Sequence, residues 1–262
     1  GLSSFKGQIV FVLGTGRSGS KAIASLLNQH PDVDFYHDSF PHLNTWSCDI
    51  LYGRKSVDEI CHRLHSLYNA VDMGNKKVHG QSDQKLVPLV PILAELFPEA
   101  KFIWLIREAD SFVNSSYPRG WFDNSEFGYS SNHAEFFEKK ATPSHFDATH
   151  RANGHKIGVF NEYKWKNMTA FERNCWYWAY WNELIENHLS NINESQWMQV
   201  KLNEMSSHMD ALLVFLGLPN FELESKNINK AKYKKLTKSD WTDEMKEIYL
   251  HHCEDKMKKW FS

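Results

Sequence analysis

The sequence predicts an α/β protein with a central parallel sheet flanked by helices. Strand and helix patterns alternate along the chain, which is typical of a parallel sheet with helices on both faces. A glycine-rich turn also separates the first strand from the first helix, at residues 14–20. In sheets of this kind ligands bind at the carboxyl ends of the strands, so we expect a site at this turn.

The N-terminal elements are indicated by apolar patterns and by a helix cap. Residues 9–12 form a short apolar run typical of a buried strand, and residues 21–27 follow as a helix. A second short extended segment covers residues 33–36. Ser56 and Glu59 form a Ser-x-x-Glu capping box, which predicts that a helix begins there because both side chains satisfy backbone N–H groups.

The centre of the chain contains the clearest strand. Residues 101–106 (KFIWLI) predict a central strand, and a helix over residues 109–117 follows it. Residues 76–80 predict another strand. Residues 86–97 place apolar side chains on one helical stripe, but Pro91 must bend or delay that helix because it has no N–H group.

The C-terminal part returns to regular structure after residues 118–168, which are rich in aromatic residues and weak in helix or strand patterns. Thr169 and Glu172 form a second capping box at the start of a long, tryptophan-rich helix. A last strand over residues 196–202, a helix over residues 206–216 and a final amphipathic helix complete the pattern.

The composition excludes several classes of function. The chain has 262 residues, 42% of them hydrophobic, which suits one large α/β domain with an ample core. A net charge of −2 gives no general attraction for nucleic acid. No apolar stretch reaches the roughly 18–20 residues that a membrane span needs. The four cysteines lack CxxC spacing, so we expect reduced thiols and no metal site.

The most informative segment is residues 11–21 (FVLGTGRSGSK). Its glycines let backbone N–H groups approach an anion, and the following helix start favours negative charge. The order differs from the G-x-x-x-x-G-K-[ST] pattern of nucleotide hydrolases, because Ser20 precedes Lys21 here. Arg17 lies inside the turn, where its fork of donors would face the bound group. The segment predicts a P-loop-type, three-layer architecture with an unusual phosphate-binding loop.

In their order and spacing, these residues resemble the sulfotransferases that use 3′-phosphoadenosine 5′-phosphosulfate (PAPS). Residues 16–20 are similar to the family's 5′-phosphosulfate loop, in the arginine-bearing version of tyrosylprotein and many bacterial sulfotransferases. Residues 30–33 (HPDV) stand at the distance from the loop found in that subgroup. Residues 97–107, followed by Ser115, are similar to the strand and helix that grip the 3′-phosphate. Residues 202–205 and 215–219 occupy the places of the Y-E-D-L and F-L-G-L elements.

The resemblance implies that PAPS is the donor and adenosine 3′,5′-bisphosphate (PAP) the product, and that no metal ion is needed. PAPS is charged at both ends, so a binding protein needs two separated anion sites with charge-assisted hydrogen bonds. Arg107 and Ser115 are expected at the 3′-phosphate, and Lys232 and Lys234 lie in a segment that resembles the family's C-terminal phosphate-closing loop. The expected residues at the 5′ end are Gly16, Arg17, Ser18, Gly19, Ser20 and Lys21.

The resemblance also implies catalytic roles. Arg17 is expected to stabilise charge that develops on the leaving 5′-phosphate. A glutamate of the tyrosylprotein branch stands at the position of Asp38, which makes Asp38 the preferred base for the acceptor. Residues 77–79 resemble the lysine and histidine of the cytosolic branch, which makes His79 the alternative base, and His37 remains open as a third.

We therefore expect a single sulfotransferase domain over residues 1–262, in which residues 118–168 form an insertion that covers the acceptor. Aromatic side chains in that insertion favour a small acceptor that is apolar, aromatic or sugar-like. Neither nucleic acid nor a membrane span is expected, and the oligomeric state stays open. We expect a cytoplasmic protein, with the Golgi lumen as the alternative if an anchor has been removed.

Two other functions compete with sulfuryl transfer. A P-loop nucleotide kinase or NTPase needs a Lys-Ser/Thr pair closing the loop and an acidic residue at a neighbouring strand end for Mg²⁺. This chain has the reverse order in the loop, and its strongest strand ends in Arg107. A nucleotide-binding module without catalysis would keep the loop and Arg107 but tolerate the loss of Arg17, Asp38 and His79.

Overall fold

The computed structural model describes residues 5–37, 40, 42–122, 152–224 and 236–262. They divide into two compact units. One is taken from the ranges Gly1–Arg107 and Leu184–Asn229, and the other from Glu108–Glu183 and Lys230–Ser262. The prediction of a single domain over residues 1–262 stays a prediction.

A five-stranded sheet with the strand order β2-β3-β1-β4-β5 forms the centre of the first unit. All neighbouring strands are parallel, so their carboxyl ends lie at one edge of the sheet. This confirms the predicted α/β class. The strands are β1 (Gln8–Leu13), β2 (Val33–His37), β3 (Val78–Ser82), β4 (Lys101–Ile106) and β5 (Trp197–Lys201).

The helices of the described residues follow the strands in alternation, as the sequence predicts. They are α1 (Ser20–Leu27), α2 (His42–Leu51), α3 (Val57–Ala70), α4 (Val90–Leu96), α5 (Ala109–Ser116), α6 (Glu162–Asn167), α7 (Ala170–Leu189), α8 (Met209–Phe215) and α9 (Asp243–Phe261). Among them, none combines the length and the apolar character that crossing a bilayer requires.

Both faces of the sheet are covered within the first unit. Val10 and Val12 of β1 belong to a buried cluster that includes Ile23 of α1 and Leu212 of α8. Phe11, between those valines, projects from the opposite face because side chains alternate along a strand. It lies among the rings of three further aromatic residues, Tyr68, Phe97 and Phe102, at centroid distances of 6.4, 5.9 and 5.6 Å. The sheet is therefore the middle layer of three, as predicted.

Strand β2 forms one edge of the sheet, and a side chain caps part of it. Asn28, just after α1, accepts the Phe35 N–H on Oδ1 at 2.7 Å and donates from Nδ2 to the Phe35 carbonyl at 2.6 Å. An edge strand otherwise presents unpaired backbone groups to solvent. The Asn28 side chain therefore satisfies one residue of this edge.

The predicted capping boxes are confirmed at their N-cap hydroxyl groups. Ser56 Oγ accepts the Glu59 N–H at 3.1 Å, and α3 begins directly after it. Thr169 Oγ1 accepts the Glu172 N–H at 3.1 Å at the start of α7. A hydroxyl that accepts an otherwise unpaired N–H stabilises a helix by about 1 kcal/mol.

Three helical segments differ from the sequence prediction. The chain over Gln84–Leu89 is a 3₁₀ helix, and α4 begins only at Val90 with Pro91 in its first turn. A proline fits there because its missing N–H has no intrahelical acceptor in any case. The predicted helix at residues 206–216 likewise begins as a 3₁₀ helix over Leu202–His208. Helix α2 was not predicted, because buried polar residues interrupt its apolar pattern.

The second unit is built around α7. Trp178 and Trp181 are buried in its core, as expected. Asn174 is fully buried, accepts from Ser116 Oγ at 2.7 Å and donates from Nδ2 to the backbone carbonyls of Trp121 and Ala170, at 2.9 and 2.8 Å. Its amide therefore joins three segments of the unit through one side chain.

An ionisable pair links α7 to α9 in the same unit. His252 Nε2 lies 2.9 Å from Glu172 Oε2, and both side chains are largely buried. Burial lowers the pKa of His252, whereas the Glu172 carboxylate acts in the opposite direction.

Candidate active site

The turn after β1 has the backbone of an anion-binding loop. Gly16, Arg17 and Gly19 have φ values of +77°, +51° and +97°, in the left-handed region. Glycine adopts this region without strain, whereas for an arginine it costs about 1–2 kcal/mol. Turns with left-handed residues form concave arrays of N–H groups that bind phosphate. The conformation at Arg17 is thus a strained feature at the predicted catalytic position.

The loop packs against its surroundings without room for larger residues. A Cβ atom at Gly14 would lie 2.6 Å from Ser18 Oγ and 3.1 Å from the Leu105 carbonyl oxygen. A Cβ atom at Gly19 would overlap Cδ1 of Leu202. A side chain at Gly14 or Gly19 would therefore require neighbouring atoms to move.

Ser18 provides a buried polar group. Among the described residues its side-chain hydroxyl has no hydrogen-bond partner, and Ser18 is only 1% exposed. Burying such a group without a partner costs about 1–3 kcal/mol. Helix α1 begins two residues later, after a Gly19 N-cap that supplies no side-chain acceptor for the first N–H groups. This surplus of donors fits a bound anion.

Arg107 is brought to the same loop from the end of β4. Its Nη1 donates to the backbone carbonyl of Arg17 at 2.8 Å. The structure therefore places two predicted site residues, Arg107 and Arg17, in direct contact. Lys21, on the first turn of α1, is exposed.

The carboxyl ends of β2 and β3 add polar groups beside the start of α1. His37, the last residue of β2, is hydrogen-bonded through Nδ1 to Ser82 Oγ at 2.9 Å. Ser82 Oγ also donates to the Ser20 carbonyl oxygen at 3.4 Å. Asp83 and Lys85 follow Ser82 and are only 7% and 6% exposed.

Sequence reasoning missed Ser82, Asp83 and Lys85. The cause is that β3 was predicted over residues 76–80, two residues before its actual end at Ser82. Asp83 accepts the Lys85 N–H at 2.8 Å and thereby caps the following 3₁₀ helix. Asp83, an N-capping residue type directly after the strand, is the signal that could have located this strand end.

His79 lies elsewhere on the strand. It is the second residue of β3, beside Asp34 of β2, and its ring packs near Tyr36 and Phe5. Burial lowers the pKa of His79, while the Asp34 carboxylate opposes this shift. The three residue steps from His79 to Ser82, at the end of the strand, correspond to about 10 Å. The role of His79 as the base stays a prediction, and its distance from the end of the strand does not favour that role.

For the remaining predicted site residues, the structure describes no contact with the glycine turn. Asp38, Lys232 and Lys234 lie outside the described residues. Ser115 is buried on α5 in the second unit. Their roles stay predictions.

The described aromatic residues of the predicted insertion pack with one another and with aromatic residues of α7. Trp121, Phe122 and Trp165 are 5%, 3% and 8% exposed, and Phe122 packs edge-on against Trp165. Tyr163 is 79% exposed. The aromatic residues between positions 123 and 151 lie outside the described residues. The described aromatic residues of this insertion are therefore chiefly core.

Comparisons with known proteins give a likeness in structure. No protein-family model and no curated protein sequence matches the chain. The crystal structure of a sulfotransferase from Alicyclobacillus acidocaldarius matches with a TM-score of 0.54 and 13% identity, over 97% of this chain and 94% of that one. Two other sulfotransferase domains each match 84% of this chain and 76% of their own. One, from the curacin biosynthetic pathway, has a TM-score of 0.46 and 14% identity, and the other, from the Synechococcus PCC 7002 olefin synthase, 0.41 and 13%. With the first of these structures this chain shares its fold, the α/β fold of a sulfotransferase.

Proposed function

We propose that this protein is a PAPS-dependent sulfotransferase. It transfers the sulfuryl group of PAPS to a hydroxyl or amine of a small-molecule acceptor and releases PAP. The observation that carries this proposal is the glycine turn after β1, where the buried Ser18 hydroxyl has no partner in the described part of the chain and Arg107 donates to the Arg17 carbonyl. The shared fold supports it.

In this proposal the loop holds the 5′-phosphosulfate and Arg107 faces the 3′-phosphate. The loop contributes backbone N–H groups, the Ser18 and Ser20 hydroxyls and the charge of Lys21, within the span Gly16–Lys21. A hydrogen bond to a charged group contributes about 1.5–3 kcal/mol. The sequence also predicts that Ser115, Lys232 and Lys234 bind the 3′-phosphate, and these roles stay predictions.

Catalysis then rests on position and charge. The acceptor oxygen forms a bond to sulfur while the bond from sulfur to the bridging oxygen of the 5′-phosphate breaks in line. The leaving phosphate gains negative charge, which the guanidinium of Arg17 stabilises. An arginine does not give up its proton in proteins, so Arg17 acts by electrostatics rather than as an acid.

The acceptor proton goes to a base at the carboxyl end of β2. Asp38 remains the preferred base, and it follows directly after His37, the last residue of that strand. His37 is the better supported histidine, because it reaches the start of α1 through Ser82, whereas His79 lies deeper in the sheet. The acceptor class and a cytoplasmic location stay as expected from the sequence.

Calorimetry with two nucleotides tests the donor site. We expect PAP to bind more tightly than ATP, and to do so without Mg²⁺. Tighter binding of ATP, or a requirement for Mg²⁺, would favour the kinase or NTPase alternative. Transfer is then followed with PAPS and a promiscuous phenol by mass spectrometry, which detects the added sulfuryl group.

A substitution at Ser18 tests the carrying observation. Ser18→Ala should weaken PAP binding by about tenfold or more, because a hydrogen bond to a charged group is lost. The stability of the free protein should stay the same or rise, because an unpaired buried hydroxyl is removed. Ser25→Ala, at an exposed position of α1, is the matched control. Unchanged PAP binding in Ser18→Ala would contradict the proposed role of this loop.

A further inference from the structure

We propose that Arg107 is also a positioning residue for the glycine turn over residues 14–20. One guanidinium then acts on the binding sites for both ends of the donor. This inference rests on the proposed function, in which Arg107 binds the 3′-phosphate. It adds that the same side chain holds the Arg17 peptide in the orientation that the 5′ end requires.

The contact is made between groups that the sheet holds firmly. Arg107 directly follows Ile106, the fully buried last residue of β4. One strand residue earlier, the Leu105 carbonyl oxygen lies against Gly14 at the start of the loop. The 2.8 Å hydrogen bond from Arg107 Nη1 to the Arg17 carbonyl is therefore a second connection between β4 and the loop.

The hydrogen bond acts on a strained part of the backbone. Arg17 has a left-handed φ of +51°, which a residue with a side chain adopts at a cost. Its carbonyl belongs to the same peptide plane as the Ser18 N–H. In a trans peptide these two groups point in opposite directions, and the described residues contain no cis peptide. Because Arg107 donates to the Arg17 carbonyl, the Ser18 N–H points away from the Arg107 guanidinium.

The consequence is a coupling between the two ends of the donor. The loop that receives the 5′-phosphosulfate depends for its shape on the arginine that receives the 3′-phosphate. Loss of Arg107 should therefore weaken the binding of ligands that carry no 3′-phosphate at all. An arginine that acts only as a 3′-phosphate ligand would not have this effect.

Two nucleotides separate these possibilities. Adenosine 5′-phosphate lacks the 3′-phosphate that PAP carries, and the affinities of both are measured by calorimetry, with displacement titration for the weaker ligand. In Arg107→Ala we expect adenosine 5′-phosphate to bind about tenfold more weakly, and PAP about a hundredfold more weakly because both contacts are lost. An unchanged affinity for adenosine 5′-phosphate overturns the inference.

Controls separate positioning from simple loss of folded protein. Calorimetry gives the binding stoichiometry independently of Kd, so a smaller folded fraction lowers the first without changing the second. Arg107→Met keeps the bulk of the side chain and carries the same expectation if the alanine variant does not fold. Arg63→Ala removes an exposed guanidinium from α3, where Arg63 pairs with Glu59, and should change neither affinity.

The outcome also distinguishes the inference from the proposed function. If the wild-type protein binds PAP no more tightly than adenosine 5′-phosphate, the proposed 3′-phosphate site itself is wrong. If the wild-type preference for PAP is present and Arg107→Ala affects PAP alone, only the positioning role is wrong.

Discussion

Replacing Gly19 by alanine perturbs the loop at a single position, directly before α1. Two costs follow from the structure. Gly19 has a φ of +97°, and an L-residue in the left-handed region costs about 1–2 kcal/mol. The new Cβ would also overlap the end of the Leu202 side chain, which is only partly buried and can turn, so the steric cost lies at the lower end of overpacking, about 1 kcal/mol. We expect Gly19→Ala to lower the free energy of unfolding by about 2–3 kcal/mol in total.

Two companion variants separate these costs. Gly53 has a φ of +67°, and no atom of the described residues lies within 4 Å of a Cβ atom placed on it, so Gly53→Ala should show the backbone cost alone, about 1–2 kcal/mol. Leu202→Ala removes the overlapping methyl groups. In the double variant with Gly19→Ala, the steric part of the destabilisation should therefore disappear. The free energy of unfolding should then fall by less than the sum of the losses in the two single variants.

Urea unfolding measures these differences through the midpoint at constant m. PAP affinity is measured in parallel, and it should fall in Gly19→Ala because the loop is displaced. If Gly19→Ala is no more destabilising than Gly53→Ala, the packing of Leu202 against the loop does not constrain its shape. The reasoning from the close contact at Gly19 would then be wrong.

Three further expectations concern stability. Burial lowers the pKa values of His79 and His252, so the unfolded chain binds more protons than the folded protein between pH 7 and 5.5. The free energy of unfolding should therefore fall as the pH falls, by less than about 1 kcal/mol per pH unit for each residue. Urea midpoints across this range measure the effect, and a flat profile would contradict it. Asn174→Ala should cost about 1–3 kcal/mol in urea unfolding, because the buried Ser116 hydroxyl loses the acceptor of its hydrogen bond, whereas Asn187→Ala at an exposed position of α7 should cost almost nothing. Asn28→Ala should cost about 1–2 kcal/mol and speed hydrogen exchange at the Phe35 amide; unchanged exchange there would show that Asn28 does not protect the edge of β2.

Local patterns predicted most of the fold. The apolar run of β4, the glycine turn and the capping boxes at Ser56 and Thr169 are signals carried by a few adjacent residues, and each corresponds to an observed element. The parallel sheet followed from the alternation of these elements. The delay of the helix at Pro91 was expected, whereas β3 continues two residues further than its pattern indicated and α2 was not predicted.

The site was less predictable than the fold because its key contacts are long-range. Arg107 donates to a backbone carbonyl 90 positions away, and a carbonyl carries no residue-specific signal in the sequence. The pairing of His37 with Ser82 depends on the register of β2 against β3, which the shifted end of β3 concealed. The unpartnered hydroxyl of Ser18 is likewise visible only once its surroundings are known.

The position of β5 has a consequence for synthesis of the chain. Strand β4 pairs with β1 on one side and with β5 on the other, and 90 residues separate Ile106 from Trp197. At roughly 5–20 residues per second, a ribosome needs roughly 5–20 s to make that stretch. During this interval the nascent chain carries the apolar segment KFIWLI without its outer partner, which is the kind of open edge that invites aggregation. Newly made chains should therefore depend on chaperones most strongly at this stage.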